Sequence, residues 1–534
     1  MYNTYAMRPI ATDTHDFPSL RKEGCIYVDK TMFIHRLVTT IGAKLFFISR
    51  PRRFGKSLMV STLKALFSAR RELFEGLYID RTDWKWETYP IIHFEFNDLT
   101  TTSVEEFERS LAWHVERKLA QAGYAYNKSL TPADNFGMAI DTLARQKDEN
   151  GNDVHKGVVI LVDEYDAPVG HCLDDVAKAE AVRERLSDVY SQMKNRTGNI
   201  RFLFMTGVSK FTKLSVFSAL NNIVDMSLDG NYATMFGYTE DELSANFEGH
   251  LREHAAIMGK SYEDYRAEMK RWYNGFRFSK SDPTTVYNPI SVAYTLVYKE
   301  SAFSATWATT GRPSMLMNYL KREDMLRIDP ESTQNVRENA FDVAELRDLQ
   351  PIPMLYQSGY LTIKAYDPQT RRFALGVPDE EVREDLCLLM TGVAADKSTF
   401  WASRLGDHLL GGEWDDLFDG LRSLYARMAY GSTEGRVHEN SYGRCLSFLL
   451  ASCGFRFTME NVQSNGRADV VAEHPALVYI FELKVDEPVD KAFAQIREKK
   501  YAEPYLADGR PIWLIGLSFD SNTRHLVECA AEKF

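Results

Sequence analysis

The sequence predicts an α/β protein of more than one domain, and three observations carry that prediction. Over the first 235 residues, short apolar runs at Leu45–Ile48, Ile91–Phe94, Val158–Val162 and Phe202–Thr206 alternate with helix-sized segments. Continuous apolar runs spaced in this way read as strands of a parallel sheet buried on both faces. The first of these runs enters a loop that ends in Gly55-Lys56-Ser57 and opens an amphipathic helix. Residues 393–534 instead end in a strand, turn, strand, helix, strand pattern, which suits a compact α/β domain around a mixed sheet.

The chain has 534 residues, more than the roughly 250 to 300 at which a single hydrophobic core stops growing. We expect three regions, at 1–235, 236–392 and 393–534. With 44% hydrophobic and 26% charged residues the composition is that of a folded globular chain, so no extended disorder is expected. No window approaches the roughly 18 consecutive apolar residues that span a bilayer, and the first residues lack the regions of a signal peptide. A cytoplasmic protein without a membrane segment is expected. Cys25, Cys172, Cys387, Cys445, Cys453 and Cys529 show no C-x-x-C spacing, which argues against a disulfide framework or a zinc site. A net charge of −11 leaves any nucleic-acid contact to local basic patches or to metal ions that bridge carboxylate and phosphate. Oligomerisation stays open.

Helical periodicity dominates residues 236–392, punctuated by aromatic groups at Trp272–Phe276 and by Tyr287-Asn288-Pro289. From Met354 to Pro378 the pattern is a helix followed by a β-hairpin. Two readings fit this region: a winged-helix-like unit and a plain helical lid.

The loop Arg50-Pro51-Arg52-Arg53-Phe54-Gly55-Lys56-Ser57 leads into a helix with Leu58, Leu63, Leu66 and Phe67 on its apolar side. Strand, loop, Gly-Lys-Ser and helix is the order a phosphate cradle needs. Backbone N–H groups around Gly55 and the helix N-terminus face the phosphates, Lys56 reaches the β and γ oxygens, and the Ser57 hydroxyl ligates Mg²⁺. Arg52 and Arg53 add positive charge, whereas Arg50 stands where the usual pattern has glycine. The run Val158–Val162 ends in Asp163-Glu164, an acidic pair at the carboxyl edge of a parallel sheet. Asp163 is expected to hold the magnesium and Glu164 to orient the attacking water. At the end of the third run, Thr206 or Ser209 is placed to sense a γ-phosphate, although an ordinary strand-to-loop turn accounts for the same residues.

In the last region, Asp469 precedes Glu482-Leu483-Lys484 by 13 positions. Strand side chains alternate between faces, so Glu482 and Lys484 point the same way. A two-residue turn at Pro475-Ala476 sets Asp469 opposite Glu482, and directly opposed residues share a face about 5 Å apart. Two carboxylates so placed can share one Mg²⁺, with Lys484 beside them to orient water and stabilise charge on a phosphate. An exposed hairpin with a salt-bridged lysine is the bland alternative; the cost of opposed like charges argues against it.

These motifs carry a resemblance. Arg50–Leu58, Val162–Pro168, Tyr27–Thr31 and Thr206–Phe211 resemble the AAA-ATPase-like family of bacterial proteins that carry a C-terminal PD-(D/E)XK nuclease domain, and the similarity continues through Phe217–Asn222 and Gly359–Thr362. The resemblance implies a P-loop NTPase parallel sheet, a helical or winged-helix-like middle region and a restriction-endonuclease-like α/β domain. It also makes Arg50 the family's own variant of the phosphate loop. It implies ATP and Mg²⁺ as cofactors, with Mn²⁺ possible at the nuclease centre, and nucleic acid, DNA ahead of RNA, as a partner. Asp469, Glu482 and Lys484 match the nuclease core, Glu439 matches an additional metal-binding helix carboxylate, and Gln495 and Tyr501 match polar positions on the following helix. Gly443 stands near where the family has histidine. The expected function is an ATP-binding and hydrolysing protein whose nucleotide state regulates a metal-dependent nuclease. The alternative is an ATP-driven switch or scaffold, related to defence or mobile elements, whose nuclease-like domain binds nucleic acid or a partner without cutting.

Overall fold

Every residue of Leu45–Ser49 and Val158–Asp163 is buried, whereas Ile91–Glu95 buries only alternate positions. That contrast follows from sheet order, because a central strand is covered on both faces and an edge strand is not. The computed structural model describes residues 7–13, 15–148, 150–210, 222–299, 303–305, 333–342, 346, 350–395, 399–431, 439–463, 466–523 and 525–534. Within these, the side chains of 392–395, 399–400, 402, 427–431, 439–441, 444–445, 459–463, 466–467 and 508 lie outside the description. Two compact units result; among the described residues the first ends at Asp379 and the second begins at Glu380.

The first unit opens with helices α1 (Phe17–Lys22) and α2 (Thr31–Thr39), then β1 (Leu45–Ser49) and α3 (Lys56–Phe67). It continues through β2 (Ile91–Glu95), α4 (Val104–Gln121), α5 (Pro132–Leu143) and a small hairpin, β3 (Arg145–Lys147) and β4 (Asp153–His155). Next come β5 (Val158–Asp163), α6 (Ala167–Gly170), α7 (Val176–Ser191), β6 (Ile200–Gly207) and β7 (Val224–Asp225). The main sheet has the order β2-β5-β6-β1-β7, and every pairing in it is parallel. The carboxyl ends of β1, β5 and β6 therefore share one edge, the edge at which α/β sheets gather their ligands.

After β7 come α8 (Glu240–Ile257), α9 (Tyr262–Tyr273), β8 (Asn274–Phe276), β9 (Val286–Tyr287) and α10 (Pro289–Val297). Thr239 and Glu242 close a reciprocal capping box at the start of α8. Leu243, Phe247, Tyr265, Met269, Tyr273 and Val292 form the apolar core of these helices. The segment read as helix and hairpin forms α11 (Pro351–Ser358), stopped by Gly359 at φ 94°, then β11 (Thr362–Asp367) and β12 (Arg372–Gly376). The strand β10 (Gln334–Arg337) completes a three-stranded sheet in the order β10-β12-β11.

The second unit contains α12 (Glu380–Ala395), α13 (Thr399–Gly411), α14 (Trp414–Gly431) and α15 (Glu439–Ser452), then β13 (Arg456–Gln463), β14 (Gly466–His474) and β15 (Leu477–Val485). The helix α16 (Val489–Glu498) and strands β16 (Ile512–Phe519) and β17 (Leu526–Lys533) complete it. Only β15 and β16 pair in parallel in this five-stranded sheet, so it is mixed. The alternation of β15 sorts its side chains between two cores. Tyr479, Phe481 and Leu483 pack with Leu405, Leu421 and Leu449 of the helical layer, while Val478 and Ile480 pack with Phe493 and Ile496 of α16. Among the described residues, no helix is long and apolar enough to cross a membrane.

Candidate functional site

The loop after β1 turns through two left-handed residues, Arg53 at φ 68° and Gly55 at φ 88°. Backbone N–H groups in such alternating conformations point inward and form a concavity suited to an anion. Gly55 also occupies the N-cap of α3, where the left-handed conformation is cheapest without a Cβ. Lys56 is buried, and its Nζ donates to the carbonyls of Arg50 at 3.0 Å and Pro51 at 2.8 Å, across the mouth of its own loop.

Arg50 points elsewhere. Its guanidinium is 2% exposed, donates to the carbonyls of Ser49 and Ser227 at 2.9 and 2.8 Å and of Tyr232 at 3.2 Å, and lies 4.3 Å from the Phe278 ring centroid. Phe54 of the same loop packs edge-on against Phe276 and Phe278. The arginine that replaces a loop glycine thus packs against Ser227, Tyr232 and Phe278, while Arg52 and Arg53 line the cavity beside the loop.

The acidic turn meets this loop across the intervening strand β6. Ser57 hydrogen-bonds the Asp163 carboxylate, which is 3% exposed. Burial pushes the Asp163 carboxyl up and the Lys56 ammonium down, so burial outweighs their mutual attraction. Glu164 has a left-handed backbone at φ 51°, and burial followed by the charge of Asp163 raises its carboxyl. A residue other than glycine held there marks a place where the surroundings fix the backbone. Thr206 lies at the end of β6 with a fully buried hydroxyl that has no hydrogen-bond partner.

A cavity of about 480 Å³ opens beside the loop, lined by Arg52, Arg53, Gly55, Lys56, Ser57 and Glu164. Ile26, Val28, Phe236, Tyr238, Phe247 and Ile290 form an apolar part of its wall. Lys30 holds that wall together. Its Nζ donates to both carboxylate oxygens of Glu242, at 2.6 and 2.7 Å, and to the Thr234 carbonyl at 2.7 Å. The segment containing Tyr27–Thr31 is thereby tied to α8. Sequence reasoning gave no site role to this segment or to Asn97, which also lines the cavity. Their distance from the loop along the chain left no local signal.

In the second unit the hairpin pairs His474 with Leu477 and Val470 with Phe481, the register that a turn at Pro475-Ala476 demands. Past the last pair, the Leu483 amide donates to Asp469 Oδ2 at 2.7 Å, so this carboxylate sits between the positions of Glu482 and Lys484. Glu482 is 1% exposed; Lys484 Nζ lies 2.8 Å from its Oε1, and its Oε2 has no hydrogen-bond partner. Burial, and then the Asp469 carboxylate, push the Glu482 carboxyl up to about 7 against the pull of Lys484. Lys484 also donates to Gln495 Oε1 of α16 at 2.9 Å, whereas Tyr501 is buried in the α16 core. An orphaned buried carboxylate oxygen next to a second carboxylate fits a divalent cation, because a cation satisfies the oxygen and offsets the like charges. Glu439 begins α15, and its side chain lies outside the described residues, as do Phe211 and 217–221.

Comparison with known proteins identifies two domain types. Residues 9–217 match the family described as predicted AAA-ATPase, and residues 437–529 match the PD-(D/E)XK nuclease superfamily. An "Uncharacterized protein in vnfD 5'region" from Azotobacter chroococcum mcd 1 is 31% identical over 542 residues, covering 98% of this chain and 98% of its own length. No solved structure matches the chain.

Proposed function

This chain belongs to the family of AAA-ATPase-like proteins with a C-terminal PD-(D/E)XK nuclease domain, and we propose that it hydrolyses ATP in its first unit and cleaves nucleic-acid phosphodiesters in its second, with nucleotide state regulating cleavage. The observation that carries the nuclease reading is the buried Glu482 oxygen without a partner, beside Asp469 and Lys484.

In the first unit, the cavity supports ATP as the ligand. The loop amides and Lys56 bind the phosphates, and the apolar wall receives the nucleoside. Ser57 and Asp163 would hold Mg²⁺, and Glu164 orients and deprotonates the attacking water. A carboxyl raised by burial is a stronger base than a solvated one, which suits that role.

In the second unit, Asp469 and Glu482 would hold Mg²⁺ or Mn²⁺, hard cations that prefer oxygen ligands. When bound, such an ion polarises the scissile phosphate and lowers the pKa of water. Lys484, held by Glu482 and Gln495, orients the water and offsets charge on the phosphate.

The test is a cleavage assay on DNA and RNA with purified full-length protein, with and without Mg²⁺, Mn²⁺ and ATP. Metal-dependent cutting that changes with ATP is the expected result. ATP turnover together with nucleic-acid binding but no cutting under any condition would instead establish the switch.

A further inference from the structure

Asp166 occupies the N-cap of α6, where an aspartate ordinarily accepts hydrogen bonds from the first helical amides, yet its side chain makes no capping bond. Both of its carboxylate oxygens turn to the loop that follows β6. The Val208 amide donates to Oδ1 at 3.2 Å, and the Ser209 amide and hydroxyl both donate to Oδ2, the amide at 2.6 Å. Asp166 is only 4% exposed, so these bonds form away from water, where each is worth more than at the surface.

The neighbouring Tyr165 makes two further links. Its amide donates to the Thr206 carbonyl at 3.1 Å, and its hydroxyl donates to the Ser209 carbonyl at 3.0 Å. Gly207 sits against this junction so closely that a Cβ there would lie 2.3 Å from Asp166 Oδ1 and 2.5 Å from the Tyr165 ring. The β6 loop is in turn fixed to the phosphate loop. Lys210 Nζ lies 2.9 Å from Asp225 Oδ2, the Ser227 amide donates to Asp225 Oδ1 at 2.9 Å, and the Ser49 amide donates to Ser227 Oγ at 3.0 Å.

Glu164 lies between two fastened neighbours. On one side Asp163 receives Ser57 and on the other Tyr165 and Asp166 are bound to the β6 loop, while Glu164 itself holds a left-handed backbone facing the cavity. That conformation costs roughly 1 to 3 kcal/mol in a residue with a Cβ, so the surroundings must enforce it. We propose that Asp166 is a positioning residue: bound to Val208 and Ser209, it holds Glu164 in the orientation that activates water and ties that orientation to the phosphate loop. The proposal rests on the ATPase reading given above. It gives the Thr206–Lys210 segment a role, as a brace for the water-activating turn.

The experiment is steady-state ATP turnover and ATP affinity for full-length Asp166→Asn, Asp166→Ala, Ser209→Ala and Glu164→Gln proteins. Asp166→Asn keeps one acceptor oxygen and Asp166→Ala keeps none. Turnover is expected to fall in the order wild type, Asp166→Asn, Asp166→Ala, by about tenfold or more at the end, as for a misplaced catalytic group. ATP affinity should stay within about threefold, since ground-state contacts are untouched. Because Asp166 acts through Glu164, adding Asp166→Asn to Glu164→Gln should cost little more than Glu164→Gln alone. Should Asp166→Ala fail to fold, Asp166→Asn and Ser209→Ala still decide the matter. Wild-type turnover in both, or affinity falling in step with turnover, overturns the proposal. If Glu164→Gln itself turns over at the wild-type rate, the ATPase assignment of Glu164 has failed instead.

Discussion

The backbone amide of Leu483 donates to Asp469 Oδ2 at 2.7 Å, which locks a carboxylate of β14 against β15 between the positions of Glu482 and Lys484. Changing either carboxylate to alanine should therefore remove metal binding, read by titration calorimetry, and lower metal-supported cleavage by about 10³-fold or more, since one acid holds a strongly hydrated cation poorly. Lys484→Ala should still bind metal but cleave about 10²-fold more slowly, because its charge acts on water and phosphate. ATP affinity should be unchanged in all three. Cleavage by Asp469→Ala at the wild-type rate would refute the centre.

Lys56 and Glu164 line the same cavity with different expected tasks. Lys56→Ala should lose ATP affinity by about 10²-fold, because in the proposed site its cation acts in phosphate binding. Glu164→Gln should bind ATP normally yet turn it over about 10² to 10³ times more slowly, the usual cost of a lost general base. Equilibrium binding and single-turnover hydrolysis separate the two effects.

Arg50 serves stability. Replacing it by methionine leaves the carbonyls of Ser227 and Tyr232 without their donor and should cost about 2 to 4 kcal/mol. Glycine, the residue usual in phosphate loops, should cost more because it also leaves a void against Phe278. An unchanged melting midpoint for Arg50→Gly would show that the brace is dispensable.

His114 makes the first unit acid-sensitive. Its imidazole is 2% exposed, lies beside Phe94 and Phe96 and has an unpartnered Nε2. Burial, with help from Lys118, Arg117 and His93 and against Glu95, lowers its pKa from 6.5 to about 4. Between those values the unfolded chain takes up a proton that the folded chain refuses, so stability present above pH 6.5 is lost as pH falls toward 4. The loss is about 2 kcal/mol at pH 5. A His114→Phe variant should show a smaller drop in melting midpoint between pH 7 and pH 5, with the residual drop carried in part by His93, whose pKa is likewise lowered to about 4. An equal drop in both proteins would refute this account.

Both sites left marks in the sequence where their geometry is local. Gly-Lys-Ser at a strand-to-helix junction needs only its neighbours to form an anion cradle, and the Pro475-Ala476 turn fixes the register of a hairpin whose side chains alternate with period two. Counting residues was therefore enough to reach the register that pairs Val470 with Phe481, one step short of Asp469 and Glu482. Tertiary structure decided what depends on partners far along the chain. It turned Arg50 toward Ser227 and Tyr232, closed the cavity by joining Lys30 to Glu242, bound Asp166 to Ser209 and drew Gln495 onto Lys484. A charged side chain in a sequence carries no sign of whether it will face water or a buried acceptor. Burial settles that, and burial is a property of the packed chain, because the cost of desolvating a charge is offset only by partners that folding brings within hydrogen-bond reach.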